Sequence, residues 1–383
     1  MEVTGHILLT LAYLIIAVYC VMIGYAISGW KKLKVEEESE PWLGISILIA
    51  ARNEAQNIET VIRDIFNQSY ASELFELIVI DDHSEDETLS IAESLKVEFQ
   101  NLKVLSNTNG EGKKAALVTG IQEAKFETIA TVDADCRVPS EWLITMTSHW
   151  QQGQTKMLLG PIVLEAEPLI LQQAQAMENL AIMGLTGGFG SHQKPIMANG
   201  ANLFFDKKYF EEIGGYASSE NPSGDDVFTM LQFSEKWPES VRFVKHYESA
   251  VLTRPEPTFS NFWQQRKRWL SKKGGYSNWL VKGTAIITYL ANLAAFVSLL
   301  FIIGAFGSYW TDRLMWVLFI KTLTDLILTR TVSKDLQPHC GIANILVTEI
   351  FVIIYVTFLG IFGNVRNYQW KGRTIDLKAR NSK

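Results

Sequence analysis

Residues 127–136 read ETIATVDADC, a short apolar and β-branched run that ends on two carboxylates separated by one small residue. Two earlier apolar runs likewise end on charged or polar residues, ILIAARNEAQNI at 47–58 on Arg52, Asn53 and Glu54 and ELIVIDDHSEDET at 76–88 on Asp81 and Asp82. Between these runs lie stretches of helical period such as NIETVIRDIFNQ at 57–68. Strand-like runs alternating with amphipathic segments predict an α/β domain with a mainly parallel sheet, from Ser46 to about Trp237. In open sheets of this kind, ligands sit at the carboxyl ends of the strands. Asp81, Asp82, Asp133 and Asp135 are expected at those ends.

Alternation along an extended chain puts Asp133 and Asp135 on one side. Two hard oxygen donors so placed can hold Mg²⁺ or Mn²⁺, and a metal there neutralises a departing diphosphate. Alone, D-x-D is a weak motif, and acids at a strand end are ordinary surface residues. Asp82 and Ser84 can accept from a nucleobase or ribose, and they can equally cap the helix that follows. In NGEGKKAAL (109–117), Gly110 and Gly112 open a loop, Lys113 and Lys114 add cations, and a helix begins whose amino end suits phosphate. The glycine spacing is not that of a P-loop, and a solvated basic turn reads the same way. SGDDVF (223–228) supplies Asp225 and Asp226, candidates for the base that takes an acceptor's hydroxyl proton or for a helix start. QRKRW (265–269) brings an amide, a cation and an aromatic, Gln265, Arg268 and Trp269, suited to a diphosphate and a ring, and it also fits an interfacial helix.

Three cysteines, Cys20, Cys136 and Cys340, are too far apart for a disulfide framework or zinc motif. Cys136, with no positioned histidine nearby, reads as a packing residue. A net charge of −6 lacks the basic excess of a nucleic-acid binder, so no nucleic-acid partner is expected.

Apolar residues gather at both ends of the chain. Ile7–Trp30 carries no charge, and its 24 residues reach roughly 36 Å as a helix, enough to cross a bilayer core of ~30 Å. Without a basic leader or small-residue cleavage site it reads as an anchor, not a signal peptide. Lys31, Lys32 and Lys34 then put the following domain in the cytosol. Gly283–Thr311 is uncharged over 29 residues and predicts a second span. Ile342–Gly363 predicts a weaker one with Glu349 inside it. Leu314–Thr329, with Lys321 and Asp325, reads as another weaker span or, being short and charged, as a re-entrant or interfacial segment, so that the C-terminal part has three spans or two plus such a segment. Lys321 and Asp325, four apart on one helical face, can neutralise each other, and Glu349 calls for a polar cavity or a neighbouring helix. Pro257–Leu280, with Arg266, Lys267, Arg268, Lys272 and Lys273 among aromatics, predicts an amphipathic helix at the lipid surface. The tail carries Lys371, Arg373, Lys378, Arg380 and Lys383, which favour the cytosol. The expected organisation is an anchor at 1–41, a cytosolic catalytic domain at 42–256, an interfacial helix at 257–282, a membrane bundle at 283–365 and a basic tail at 366–383.

In order and spacing, ARNE, DDHS, GKKAAL, DAD, NGANLFF, GDD and Q-x-x-R-W resemble the membrane-bound family 2 glycosyltransferases over about Ser46 to Trp269. That group includes cellulose, chitin, hyaluronan and poly-N-acetylglucosamine synthases and ceramide glucosyltransferases. The resemblance implies a GT-A fold and a single displacement with inversion, from a nucleotide-sugar donor, inferred to be a UDP-sugar. It further implies that Ala51, Arg52, Glu54 and Asp82 line the nucleoside pocket, Lys113 meets the donor phosphates, and Asp133 meets the donor. Asp135, with Asp133, would hold the divalent metal, and Asp226, beside Asp225, would be the catalytic base. Gln265, Arg268 and Trp269 would close over the diphosphate, and Asn199, Gly200, Ala201 and Asn202 would form the acceptor wall. The chain is much smaller than a cellulose synthase. It therefore favours transfer of a hexose or N-acetylhexosamine to a membrane lipid or membrane-associated glycan, as an integral membrane protein. A compact processive polysaccharide synthase with partner subunits is the alternative. Transfer to a polyprenyl phosphate ranks below both, because that subgroup often lacks Q-x-x-R-W. A non-catalytic scaffold would be expected to have lost Asp133, Asp135 or Asp226.

Overall fold

The computed structural model describes residues 2–35, 42–218, 225–271, 278–304, 308–336, 342–362, 367–370 and 373–376. These residues form two compact units. One is Lys32–Glu165 with Phe189–Arg254; the other is Met1–Lys31, Ala166–Gly188 and Pro255–Lys383.

The first unit is built on a seven-stranded sheet of strands β1 (Ile45–Ala51), β2 (Phe75–Asp81), β3 (Leu102–Ser106), β4 (Thr128–Thr131), β5 (Met157–Leu159), β7 (Leu203–Asp206) and β8 (Val241–Phe243), in the order β3-β2-β1-β4-β7-β5-β8. β6 (Ile162–Leu164) and β9 (Val251–Thr253) pair apart from it. β1, β2, β3 and β4 are parallel, whereas β7 runs antiparallel to β4 and β5. β2 is buried at every position and β1 at all but one. Continuous apolar runs of this sort belong to strands covered on both faces. Helices α2 (Ile58–Phe66), α3 (Thr88–Ser94), α4 (Lys113–Glu123), α5 (Trp142–Ser148), α7 (Lys207–Glu212) and α8 (Asp225–Lys236) complete the unit.

Their seating follows from side-chain spacing. α2 buries Ile58, Val61, Ile62 and Ile65, an i, i+3, i+4, i+7 stripe. α4 approaches the sheet at Gly120, where a β-carbon would stand 2.7 Å from Ile80 Cδ1. Glu76, the one carboxylate inside β2 itself before its terminal residue, accepts from Ser46 Oγ at 2.6 Å and Lys125 N at 2.5 Å and pairs with Lys103 at 2.8 Å. Burial alone would raise its pKa, but these three partners prevail and hold it below the usual value. With β2 and β3 on one side of β1 and β4 on the other, the chain reverses direction across the sheet between β1 and β4, the place where α/β sheets open a crevice.

The second unit is helical: α1 (Glu2–Lys32), α6 (Ile170–Ser191) through Gly188, α9 (Phe259–Ser271), α10 (Trp279–Ile303), α11 (Ser308–Leu336) and α12 (Ile342–Phe362), with a hairpin of β10 (Asn367–Trp370) and β11 (Arg373–Asp376). Among the described residues, three helices are long and apolar enough to cross a membrane: Thr4–Lys32, Trp279–Ile303 and Ile345–Phe362. Leu8, Leu14 and Val21 on α1 stand exposed, the apolar surface that lipid would cover. Instead of a short re-entrant segment, residues 308–336 form one uninterrupted helix. Its mid-helix charges, Lys321 and Asp325, are paired inside the unit. Lys321, fully buried, pairs with Asp325 at 2.8 Å and with Glu349 of α12, and Tyr19 of α1 donates to Asp325. Trp30 Nε1 donates to Asp335 at 2.7 Å. α6 lies within the span read from sequence as catalytic domain, yet to Gly188 it clusters with these helices. A β-carbon on Gly188 would stand 2.2 Å from the Ala26 carbonyl oxygen, so only glycine permits this approach of α6 to α1. Lys272, Lys273, Lys371, Lys378, Arg380 and Lys383 fall outside the described residues.

Candidate functional site

β1 and β2 both end in a left-handed turn on a residue other than glycine, Asn53 at φ 52° and His83 at φ 58°. Asparagine and histidine tolerate this region better than most residues, and such turns concentrate at functional sites. The two turns are laced together. Asn53 N donates to Ser84 Oγ at 3.0 Å, and Glu85 N donates to Asn53 Oδ1 at 2.8 Å. Arg52, buried, donates to the carbonyls of Asp82 at 2.8 Å and His83 at 2.6 Å and pairs with Glu85 at 3.0 Å. Glu54 accepts from Asn57 Nδ2 at 2.8 Å and its N–H donates to Thr88 Oγ1 at 2.7 Å. The Ala51 carbonyl accepts from Asp82 N at 2.8 Å. The four residues expected at a nucleoside pocket are thus gathered at one rim of the sheet.

Asp82 is bound more closely to its own chain than its sequence context indicates. It is 2% exposed, and its two oxygens accept from Gly112 N at 2.9 and 3.0 Å while Oδ1 also accepts from Asn107 Nδ2 at 2.8 Å. Gly112 is the N-cap of α4 at φ 99° and has no side chain to cap with, so the remote carboxylate serves the amino end of that helix. Asn107 Oδ1 accepts from Asn109 N at 3.1 Å and Thr119 Oγ1 at 3.2 Å, closing the loop onto α4. Asn107 is a site residue that the sequence reading missed; an asparagine just after a strand carries no motif of its own.

That loop aims Lys113, the first residue of α4, at Asp133 beyond the end of β4, and the two form an ion pair. Burial works against the charge on Lys113, but Asp133 and then Asp226 outweigh it and raise its pKa. Asp226, in the first turn of α8, accepts from Gly200 N at 3.1 Å. From the point where a Gly200 β-carbon would sit, Lys113 Nζ is 3.5 Å away and Asp226 Oδ2 3.9 Å, so the three residues converge. The antiparallel pairing of β7 brings this about: Thr131 lies opposite Leu203, and Thr131 Oγ1 donates to the Gly200 carbonyl at 2.8 Å. Asp225 opens α8, and its side chain lies outside the described residues.

Asp135 is exposed and lines a cleft of about 210 Å³ together with Gln56, Thr60, Glu165 and Arg254. The surrounding protein, and then the charge of Asp133, raise its carboxyl above the usual value. Two neighbouring carboxylates of this kind suit a divalent cation. Among the described residues no group of three or more His, Cys, Asp or Glu gathers, so a metal here would take further ligands from phosphate oxygens or water, as Mg²⁺ and Mn²⁺ sites commonly do. Cys136 is buried, and burial followed by Asp133 and Asp135 drives its thiol pKa well upward; it packs and does not attack.

The expected acceptor wall divides. Asn199 is exposed and Gly200 half-buried, whereas Ala201 is buried. Asn202 is wholly buried: its amide donates to the carbonyls of Pro161 and Ser249, each at 2.8 Å, and accepts from Trp142 Nε1 at 3.1 Å. Its side chain is therefore a core strut and not an acceptor contact. Gln265, Arg268 and Trp269 lie on α9, in the helical unit. Gln265 Nε2 donates to Glu256 at 3.0 Å, and its carbonyl accepts from Arg266 at 2.8 Å.

Residues 46–214 match the family model described as Glycosyl transferase family 2. The chain is 28% identical over 185 residues to the glycosyltransferase AglE of Haloferax volcanii, covering 48% of this chain and 60% of that protein. It is 28% identical over 243 residues to the beta-monoglucosyldiacylglycerol synthase of Trichormus variabilis, covering 62% and 50%. With the poly-beta-1,6-N-acetyl-D-glucosamine synthase of Staphylococcus epidermidis it shares 24% over 249 residues, covering 64% and 58%. The chain thus spans about half to three fifths of the length of these relatives. A solved mannosyltransferase from Pyrobaculum calidifontis, in complex with GDP-Man and Mn²⁺, superposes with a TM-score of 0.55 at 16% identity, covering 84% of this chain and 98% of that one. This likeness establishes the GT-A fold.

Proposed function

Residues 46–214 belong to glycosyl transferase family 2, and from that premise we propose that the chain is an inverting hexosyltransferase. It moves one hexose or N-acetylhexosamine from a UDP-sugar to a membrane lipid or membrane-associated glycan. The observation that carries this reading is the convergence of Lys113, Asp133, Gly200 and Asp226 at the crevice between β1 and β4.

The turns at Arg52–Glu54 and Asp82 seat the nucleoside. Lys113 and the amino end of α4 favour the donor's diphosphate. Asp133 and Asp135 are the residues that would hold a divalent cation, which when bound supplies positive charge to the departing diphosphate. Asp226 accepts the proton of the acceptor hydroxyl as that oxygen bonds to the anomeric carbon. The bond from that carbon to the diphosphate breaks on the opposite face, UDP leaves, and the configuration inverts. Gln265, Arg268 and Trp269 clamp the diphosphate, and Asn199 and Gly200 border the acceptor. Exposed Lys31, Lys32 and Lys34 at the end of α1 support a cytosolic position for the sheet unit.

Similarity to a polymer-forming relative supports a second reading, a compact processive synthase that works with partner subunits. Membranes carrying the chain, incubated with radiolabelled UDP-sugars and Mn²⁺ and with Asp226→Asn as control, separate the two. Label in a discrete organic-soluble species identifies a glycolipid synthase and its sugar. High-mass, glycosidase-sensitive label identifies a polymer synthase. No Asp226-dependent label from any donor refutes both.

A further inference from the structure

Arg266 stands between the residues of the Q-x-x-R-W motif and belongs to none of its named positions. It is nevertheless the best-anchored side chain of α9. It is 4% exposed, and its guanidinium pairs with Glu178 of α6, whose other oxygen accepts from Tyr355 Oη of α12. A second guanidinium nitrogen donates to the Gln265 carbonyl at 2.8 Å. The guanidinium also lies 4.1 Å from the Trp269 ring centroid and 4.6 Å from that of Phe262, while Nε is buried without a partner. The other end of the Gln265 amide donates to Glu256, whose own backbone is tied to the Gln175 amide at 2.9 and 3.0 Å.

One planar cation therefore fixes the rotamer of Gln265 on one side and backs the ring of Trp269 on the other. Glu178 and Tyr355 in turn fix the cation. Guanidinium is suited to this work, because its rigid fork donates in two directions while its face stacks, and ammonium has neither the fork nor the face. Burial raises the Glu178 carboxyl, an effect that Arg266 only partly offsets, so this carboxylate needs a cation beside it.

We propose that Arg266 is the positioning residue of the diphosphate clamp, setting Gln265 and Trp269 through an anchor of Glu178 and Tyr355. The proposal rests on the reading of Gln265, Arg268 and Trp269 as that clamp. Arg266→Lys preserves the charge next to Glu178 but gives up the fork and the stacking. It should raise the Kd for UDP, titrated with Mn²⁺ into the detergent-solubilised full chain, about tenfold, the worth of one charge-assisted hydrogen bond.

A merely structural arginine would weaken UDP binding by the same factor in any background. A positioning arginine has nothing left to position once its targets are gone. In the Gln265→Ala/Trp269→Ala background, Arg266→Lys should therefore change Kd less than about twofold, the non-additivity of coupled residues. Tyr355→Phe removes a single hydroxyl from the anchor and retains every charge. It should give a rise of about threefold, of the same sign and lost in the same background. An equal Arg266→Lys effect in both backgrounds overturns the proposal and leaves the clamp intact. Wild-type UDP affinity in Gln265→Ala/Trp269→Ala overturns the clamp reading, and the proposal with it.

Discussion

Replacing Asp82 by asparagine leaves the shape of the side chain and removes one acceptor oxygen and one charge. Asp82 accepts from Gly112 N at 2.9 and 3.0 Å and from Asn107 Nδ2 at 2.8 Å in a buried site. An amide can point its oxygen at one of these donors only by turning N–H groups toward the other. A hydrogen bond to a charged group contributes about 1.5–3 kcal/mol, and a carboxylate at the amino end of a helix about 0.3–1 kcal/mol. The expected cost is therefore about 2–4 kcal/mol. It falls on the closed form of the 107–112 loop, which holds Lys113 in register with Asp133. If the donor requires that register, the fraction of competent molecules drops and the UDP Kd rises about thirty- to several hundredfold. The assay is titration of UDP with Mn²⁺ beside a thermal melt, for Asp82→Asn, Lys113→Ala and the pair. The double variant should bind no more weakly than Lys113→Ala alone. A lowered Tm with unchanged UDP affinity would refute the reasoning, for Asp82 would then be a core strut with no bearing on the donor.

Asp226→Asn should lower kcat about 10²- to 10⁴-fold, the usual worth of a general base, while UDP binds as in the wild type; loss of UDP affinity in the titration would move Asp226 into the donor site. Asp135→Ala should abolish the Mn²⁺ dependence of UDP binding, and transfer that persists in excess chelator would contradict a metal there. Glu76 has its carboxyl held below the usual value in the fold, so it stabilises above the ordinary carboxylate pKa of about 4.3, and this stability is lost as pH falls through the folded value. Glu76→Gln should lower Tm at pH 7, with the gap to wild type closing on acidification below about pH 4 in a melt series. Gly188→Ala should destabilise the helical unit by about 1–3 kcal/mol, read as a lower melting point in detergent, because its β-carbon meets the Ala26 backbone.

The parallel half of the sheet was legible in the sequence because β1 and β2 are seven-residue apolar runs with a carboxylate or arginine at the carboxyl end. β5 and β8 have three residues each and β7 four, too short for a period-two pattern to stand out, so the antiparallel insertion that brings Gly200 to Lys113 and Asp226 could not be read. The same limit applies to Asn202 and Asn107. Whether an asparagine faces a ligand or its own core depends on backbone partners far away in the chain, such as Ser249 or Asp82. Arg266 was visible only as one basic residue among several. Its partner Glu178 is 88 residues earlier in the chain, on a helix that the sequence reading assigned to the catalytic domain.

The chain passes from one compact unit to the other four times, at residues 31–32, 165–166, 188–189 and 254–255. A protease nick at any single passage leaves the units joined through the remaining three. The sheet unit also cannot be excised as one uninterrupted piece. A fragment running from Lys32 to Arg254 carries α6 along and takes from it Arg266 and Tyr355, which satisfy Glu178, and Leu328 and Val332, against which Gly184 is seated. Such a fragment would expose an unpaired carboxylate within an apolar face, a recipe for aggregation. Preparing the sheet unit alone therefore calls for removal of 166–188 as well as trimming of the ends.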